Sequence, residues 1–132
     1  MSALTVEQQA ELLALTKSVD SVELKLSVAD DEHYSTATAL GLDPIEAEIR
    51  QVFFFDTADL DLDAAGIVVR ARRIQGGEAD TVVKLRPVVP EELPEDLRKS
   101  ESSKVEVDLM PGKYVCSASL KGKSDPDDVM RV

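Results

Sequence analysis

Four segments of this chain alternate apolar residues with polar, mostly charged residues, and this pattern limits the fold more than any other feature. The segments span residues 21–28, 67–75, 81–86 and 104–110. Because successive side chains of a β-strand point to opposite faces of a sheet, each segment predicts a strand with one apolar face and one charged face. The chain is therefore expected to form a sheet whose two faces differ strongly in polarity.

Two arrangements are compatible with this pattern. In the first, an antiparallel sheet buries its apolar face and exposes its charged face to water, which is the commoner arrangement when strands are taken one at a time. In the second, the sheet closes with its charged face inward, and helices cover the apolar outside. Solvated strand faces usually include Thr, Ser and Gln, whereas these strands carry almost only Lys, Arg, Glu and Asp. This composition favours the second arrangement.

An inward-facing set of charges predicts an occupant, because buried charges cost free energy unless they are paired or bound to a ligand. Lys and Arg would neutralise phosphate groups, and Asp and Glu would hold a hard divalent cation through oxygen ligands. If the charged face is instead solvated, the chain is a plain sheet protein, and tripolyphosphate should not change its thermal stability.

The distribution of charge points to a small, highly charged anion as the ligand. Residues 1–63 contain 14 acidic and 3 basic residues, whereas residues 64–132 contain 12 of each. The net charge of −11 argues against general nucleic-acid binding, which depends on neutralising phosphates with Lys and Arg. Within the second half, a short stretch gathers bases opposed only by Glu78 and Asp80. These bases are Arg70, Arg72, Arg73, Lys84 and Arg86.

The remaining segments predict helices and connections around the sheet. Thr5 and Gln8 form a capping box that predicts a helix over residues 5–17. A second helix is expected from Asp30 or Asp31 to about Leu40. The other expected elements are a strand at 51–56, an acidic turn segment at 59–66, a hairpin loop at 76–80, a mobile surface connection at 87–103, a strand at 113–121 and a helix starting near 124.

Length and composition predict one cytoplasmic domain over residues 1–132. A single cysteine, Cys116, excludes an internal disulfide and a cysteine-rich zinc site, and it is expected to be buried and inert. A single histidine, His33, leaves no partner for a histidine metal cluster or a Ser-His-Asp triad, and it is expected to be solvated. The chain has no apolar run of about 18 residues and no signal-peptide pattern, so neither a membrane span nor secretion is expected.

Five motifs, in the same order along the chain, resemble the signatures of the CYTH family. Glu23-Leu24-Lys25 is similar to the end of its E-x-E-x-K motif, and residues 54–62 (FFDTADLDL) resemble its Y-F-D-T-P-D-x-x-L segment. Residues 66–72 (GIVVRAR), 81–87 (TVVKLRP) and 104–108 (KVEVD) are similar to its G-x-x-L-R-x-R, T-x-K-x-x and R-x-E-x-E strands. The similarity extends from about residue 22 to residue 121, which is most of the chain.

The resemblance implies an α+β fold in which an antiparallel β-barrel, the triphosphate tunnel, is flanked by helices. It also implies a division of roles among the charged residues. The residues expected to bind phosphate are Lys25, Arg70, Arg72, Lys84, Arg86 and Lys104. Those expected to bind Mg²⁺ or Mn²⁺ are Glu23, Glu106 and Asp108. No residue is singled out as the catalytic group, since catalysis in such a site comes mainly from positioning and charge stabilisation.

The family includes inorganic triphosphatases, thiamine triphosphatases and class IV adenylate cyclases, so the resemblance implies a phosphohydrolase or a cyclase. We expect hydrolysis of inorganic triphosphate, ATP or thiamine triphosphate, because hydrolysis demands less of the part of the site that binds the organic group. A class IV-type adenylate cyclase is the first alternative. The second is a phosphate-binding module without catalytic activity.

Two departures from the family pattern favour the phosphate-binding module without catalytic activity. Ser21 occupies the position of the first Glu of E-x-E-x-K and cannot supply a carboxylate, and Lys104 replaces the planar fork of an Arg. Family members also continue for several more strands, so this chain is expected to be a C-terminally truncated member with an incomplete or open barrel. A homodimer that completes the domain is the alternative.

Purely structural roles, in packing or in turns, are expected for several other residues. The three phenylalanines at 53–55 are assigned to the core and the barrel wall. Asp56 and Thr57 are expected to fix a turn through bonds to nearby backbone groups.

Overall fold

The alternating segments form strands of one mixed sheet. In the computed structural model, which describes residues 3–129, the sheet has six strands and is accompanied by short helices. The strands are β1 (Ser21–Leu24), β2 (Arg50–Phe55), β3 (Ile67–Ile74), β4 (Ala79–Leu85), β5 (Ser103–Met110) and β6 (Lys113–Ser124). The helices are α1 (Val6–Leu15), α2 (His33–Ala39), α3 (Asp61–Ala64), α4 (Glu95–Lys99) and α5 (Pro126–Val129). The expected α+β class is confirmed.

The strand order is β1-β5-β6-β4-β3-β2. All neighbouring pairs are antiparallel except β1 and β5, which are parallel. The expectation of a purely antiparallel sheet is therefore wrong at β1. Within residues 3–129 the sheet is open, with β1 and β2 at its two edges. The alternating pattern could indicate which residues share a face, but it carries no information on strand order or direction.

Helix α1 covers the apolar face of the sheet on β5 and β6. It begins with the expected capping box, in which Thr5 Oγ1 accepts a hydrogen bond from the Gln8 amide and Gln8 Oε1 accepts one from the Thr5 amide. Leu12 and Leu15 then pack against a buried cluster that includes Val107, which is fully buried. A second buried cluster lies toward β3 and β4, where α5 packs against the sheet. No helix within residues 3–129 combines the length and apolar character needed to cross a bilayer.

Segment 87–103, expected as a mobile surface connection, contains regular structure that packs on the core. It includes a 3₁₀ turn at Pro90–Glu92, followed by α4. Leu93 and Leu97 pack against the cluster of β5 and β6, beside α1. The prolines and charged residues of this segment predict an irregular connection. They outnumber the few apolar residues that attach the segment to the sheet, so the local pattern does not indicate this packing.

Several strand boundaries differ from those expected, including the end of β6, which extends to Ser124 and not to residue 121, and two of the differences affect the charged residues. β1 ends at Leu24 and not at residue 28, because its partner β5 ends at Met110 and only one further hydrogen bond, from the Lys25 amide to the Leu109 carbonyl, extends the pairing. β4 begins at Ala79, inside the expected loop at 76–80. Asp80 consequently lies in the strand and pairs with Arg72 of β3.

Candidate functional site

Strand pairing places the charged rows of the sheet on one shared face. Residues directly opposite each other in neighbouring strands point to the same side. Arg72 lies opposite Asp80, Glu23 lies opposite Asp108, and Ser21 lies opposite Glu106. Arg70, Lys84, Lys104 and Lys121 fall on the same side by the same registers. We call this side of the sheet the charged face.

The charged face lines a cavity of about 1190 Å³ to which every strand contributes. Of the residues predicted to bind phosphate or metal, seven line it: Glu23, Lys25, Arg70, Lys84, Arg86, Lys104 and Glu106. Arg72 and Asp108 are not on the cavity surface. Arg72 lies further along β3, and Asp108 is fully buried beneath the others. Arg73 lies opposite Ala79 on the other side of the sheet, which excludes it from the local basic site.

Glu106 is the centre of one group of ion pairs. Its Oε1 lies 3.3 Å from Lys84 Nζ, and its Oε2 lies 3.0 Å from Lys104 Nζ. Burial alone would raise the pKa of Glu106, but the hydrogen bonds and positive charges of Lys104 and Lys84 outweigh burial and lower this pKa below its ordinary value. The same bond raises the pKa of Lys104. Glu106 is therefore a charged group held between two bases.

Asp108 is a fully buried carboxylate without a hydrogen bond. Its Oδ2 lies 2.9 Å from Lys25 Nζ and 3.4 Å from Arg86 Nη2, but neither oxygen has a hydrogen-bond donor in suitable geometry. Ser117 Oγ, on the adjacent strand, is also buried without a partner. The desolvation cost of this buried carboxylate is therefore offset by its two ion pairs alone and not by hydrogen bonds. This part of the charged face therefore contains buried polar groups that lack hydrogen-bond partners.

The backbone around Gly66 positions Arg86 beside Asp108. Gly66 has a φ of +72°, and a Cβ at this position would meet the Arg86 carbonyl oxygen at 2.6 Å. The Arg86 amide donates a 2.8 Å hydrogen bond to the Gly66 carbonyl. Only glycine allows this close approach without strain.

A second group of ion pairs, centred on Asp80, was missed by the sequence reasoning. The Asp80 carboxylate accepts a hydrogen bond from Arg72 and lies 3.8 Å from Arg70 and 3.5 Å from Lys121. Burial would raise the pKa of Asp80, but Arg72 and Lys121 outweigh it and lower this pKa. The local sequence pattern places Asp80 in a hairpin loop and so does not predict this group, whereas Asp80 lies in β4. Alternation in β6, where Lys121 and Lys123 flank Gly122, was the signal that could have identified Lys121.

Three carboxylates form a candidate cation site. Glu23, Glu106 and Asp108 each offer an oxygen, and these oxygens lie within 4.8 Å of one another. An all-carboxylate donor set suits a hard cation such as Mg²⁺, and the unsatisfied oxygens of Asp108 provide lone pairs for it. Ser21 Oγ is also buried without a hydrogen-bond partner, beside Glu106 in the register. The residues present therefore fit a divalent cation in their chemistry.

The three phenylalanines at 53–55 do not share one environment. Phe53 and Phe55 pack against the buried cluster of Ala71, Ala79 and Val129, as expected. Phe54 points to the charged face, lines the cavity and is 70% exposed. Its assignment to the core or to a packed wall is wrong within the described residues, because an edge strand has a neighbour on one side only.

The other residues with expected structural roles lie in the environments predicted for them. The Asp56 carboxylate accepts hydrogen bonds from the backbone amides of Thr57, Leu62 and Asp63, and Thr57 Oγ1 donates to Asp61 Oδ2. Desolvation raises the pKa of Asp56, and these backbone bonds outweigh it and lower this pKa. Cys116 is buried, which raises the pKa of its thiol, and His33 is exposed.

Comparisons of the chain with models of protein families, with curated proteins and with solved structures found no match.

Proposed function

We propose that the charged face binds a triphosphate compound together with Mg²⁺ or Mn²⁺, and that the chain belongs to the CYTH superfamily whose motifs it resembles. One observation carries the proposal. Basic side chains from four strands and adjoining residues surround one cavity above a fully buried, unsatisfied carboxylate, Asp108, in a protein with a net charge of −11.

The convergence of the bases on two carboxylates supports a short polyphosphate as the ligand. Lys84 and Lys104 converge on Glu106, whereas Lys25 and Arg86 converge on Asp108. Glu106 and Asp108 therefore mark two positions at which these bases already contact an anionic group. A triphosphate entering the cavity would exchange those contacts for stronger charge-assisted bonds to phosphate oxygens. A compact anion fits this arrangement better than a polymer does, because the bases surround one cavity.

The candidate cation would be held by Glu23, Glu106 and Asp108, and when bound it would neutralise phosphate oxygens and favour attack by a water molecule. The residues of the chain would bind and orient the phosphates. The phosphate groups would be held in one orientation along the sheet by Arg70, Lys84 and Arg86. The proposed reaction is hydrolysis of an inorganic or organic triphosphate.

A second candidate function is phosphate binding without turnover. Ser21 supports it, since this hydroxyl lies opposite Glu106 at the position where the family signature has a carboxylate. A hydroxyl supplies no negative charge to a cation, so the metal would bind more weakly or in a different position.

A closed tunnel is a further part of the proposal. It requires strand partners along the outer edges of β1 and β2, since these two strands do not pair with each other. A closed tunnel would exclude water from the charged face and strengthen each contact with phosphate. It predicts slow hydrogen exchange for the outward amides of β2.

The test combines turnover with binding. The chain is incubated with Mg²⁺ or Mn²⁺ and with tripolyphosphate, ATP or thiamine triphosphate, and phosphate, pyrophosphate and cyclic AMP are measured. Titration calorimetry compares the chain with Lys84→Met, and with Lys99→Met as a matched control on α4, away from the cavity. Phosphate release that Lys84→Met abolishes supports hydrolysis, and cyclic AMP would support the cyclase.

The other outcomes separate the remaining functions. Binding that Lys84→Met weakens, without any product, supports the binding module and excludes hydrolysis. An absence of binding, with no change in thermal stability on adding tripolyphosphate, would show that the charged face is only a solvated surface.

A further inference from the structure

Phe54 is an aromatic side chain placed among charges with little packing around it. Phe53 and Phe55 point to the opposite side of β2 and pack against the core. Phe54 is 70% exposed and lies directly opposite Arg70 on the charged face. Burying an aromatic ring is among the larger apolar gains available to a protein. A ring that stays this exposed at the border of a cavity is available to a ligand.

The surroundings of Phe54 form an apolar border on the basic part of the cavity. Val82 lies beyond Arg70 in the same row across the sheet, and Val68 lies one row away, opposite Lys84. Phe54, Val68 and Val82 all line the cavity. Val52 precedes Phe54 on the same face and is 44% exposed. The cavity therefore has a charged region around Lys84 and an apolar corner at the β2 edge.

We propose that Phe54 binds the planar aromatic ring of an organic triphosphate by stacking, while the neighbouring bases hold its phosphates. This inference rests on the proposed function and adds a substrate class to it: ring-bearing triphosphates are preferred over inorganic triphosphate. Neighbouring strands are about 4.8 Å apart, so a ring on Phe54 lies next to phosphates held by Arg70. Stacking needs only a flat π-face, so it selects for a ring without selecting a particular base.

A second protein strand is the rival occupant of this region, because β2 is a sheet edge. Pairing along an edge uses backbone N–H and C=O groups that lie in the plane of the sheet. The Phe54 side chain stands perpendicular to that plane and faces the cavity, so edge pairing alone would leave it available. The apolar corner and the basic region also share one cavity, which suits a ligand with a ring at one end and phosphates at the other.

The experiment compares ATP with tripolyphosphate as probes, at constant Mg²⁺, by titration calorimetry. The variants are Phe54→Ala and Phe54→Trp. Leu24→Ala serves as the control, because Leu24 is similarly exposed at 73%, lies in the other edge strand and points away from the charged face. Phe54→Ala should weaken ATP binding by roughly 5- to 100-fold and leave tripolyphosphate binding unchanged. Phe54→Trp should retain ATP binding, and Leu24→Ala should alter neither ligand.

The outcomes separate this inference from the proposed function. If the unsubstituted chain binds neither probe, the proposed function fails and this inference fails with it. If tripolyphosphate binds but ATP binding is the same in Phe54→Ala, the inference alone is wrong. If Phe54→Ala converts a dimer into a monomer without changing ATP binding, the ring belongs to an interface between copies, and stacking is again excluded. Circular dichroism checks that each variant keeps its fold.

Discussion

Lys84 Nζ lies 3.3 Å from Glu106 Oε1, although strand β6 lies between the strands that carry them. The registers place Ser119 beside Lys84 and Ser117 beside Glu106 on that intervening strand. Two long side chains can meet above β6 because both residues beneath them are small. Ser119 therefore lies at the floor of the cavity, whereas Ser117 is fully buried, and the small size of both residues allows the charges to converge above β6.

The small side chain of Ser119 allows a steric test of ligand binding. Ser119→Leu would raise a bulky apolar side chain between Lys84 and Lys104, so tripolyphosphate binding should weaken by roughly tenfold or more. Ser119→Ala keeps the floor low and should bind tripolyphosphate as the unsubstituted chain does. Titration calorimetry measures both. Equal affinities in the Leu and Ala variants would mean that the ligand does not enter this part of the cavity.

Removing the charge of Glu106 should separate phosphate binding from metal binding. Glu106→Gln releases Lys84 and Lys104 from their ion pairs, so with a metal chelator present tripolyphosphate should bind roughly fivefold more tightly. Added Mg²⁺ should strengthen binding less in this variant, because one carboxylate of the candidate cation site is lost. Glu95→Gln, which breaks an exposed pair on α4, is the control. An unchanged gain from Mg²⁺ would place the cation elsewhere.

The two buried aspartates should respond in opposite ways to neutralisation. Asp108 is fully buried without a hydrogen bond, whereas Lys25 and Arg86 are partly exposed and stay solvated when its charge is removed, so Asp108→Asn should raise the free energy of unfolding by about 1 kcal/mol. Asp80 accepts a hydrogen bond from Arg72, so Asp80→Asn should lower the free energy of unfolding by about 1–3 kcal/mol. Urea denaturation measures both. Destabilisation by Asp108→Asn would mean that Lys25 and Arg86 compensate the charge fully.

Acid should destabilise the fold through Asp80 and Glu106. The pKa values of both groups lie below their ordinary values of 3.8 and 4.5. Their contribution to the free energy of unfolding is therefore fully present above those ordinary values, and it is lost as the pH falls through the lower pKa values of the folded state. Urea denaturation between neutral pH and pH 3 should show a flatter decline in the double variant Asp80→Asn/Glu106→Gln. A decline as steep as in the unsubstituted chain would assign the acid sensitivity to other carboxylates.

The periodicity of the sequence predicted the two faces of the sheet correctly, because side-chain alternation is a local property. Glu106 and Lys84 could be assigned to the same face without knowing which strands are neighbours. The parallel pairing of β1 with β5, and the convergence of Lys25 on Asp108, depend on long-range topology, which no local pattern specifies. The position of Asp80 is not predicted for a different reason. Its sequence neighbours have the composition of a loop, whereas cross-strand pairing with β3 extends β4 through Asp80.

The short strand β1 delivers Glu23 and Lys25 to the site from the far end of the chain. It is held by Asp20, whose amide and carboxylate bond to Val105, and by four residues of pairing with β5. Asp20 and Val105 are 85 residues apart in the sequence, so this contact closes a long loop at an entropic cost that local strand pairs avoid. We expect the site to be assembled late in folding and to come apart early under stress. Detachment of this one strand would remove a proposed cation ligand and a proposed phosphate-binding base together, so we expect mild destabilisation to abolish ligand binding while most of the sheet stays intact.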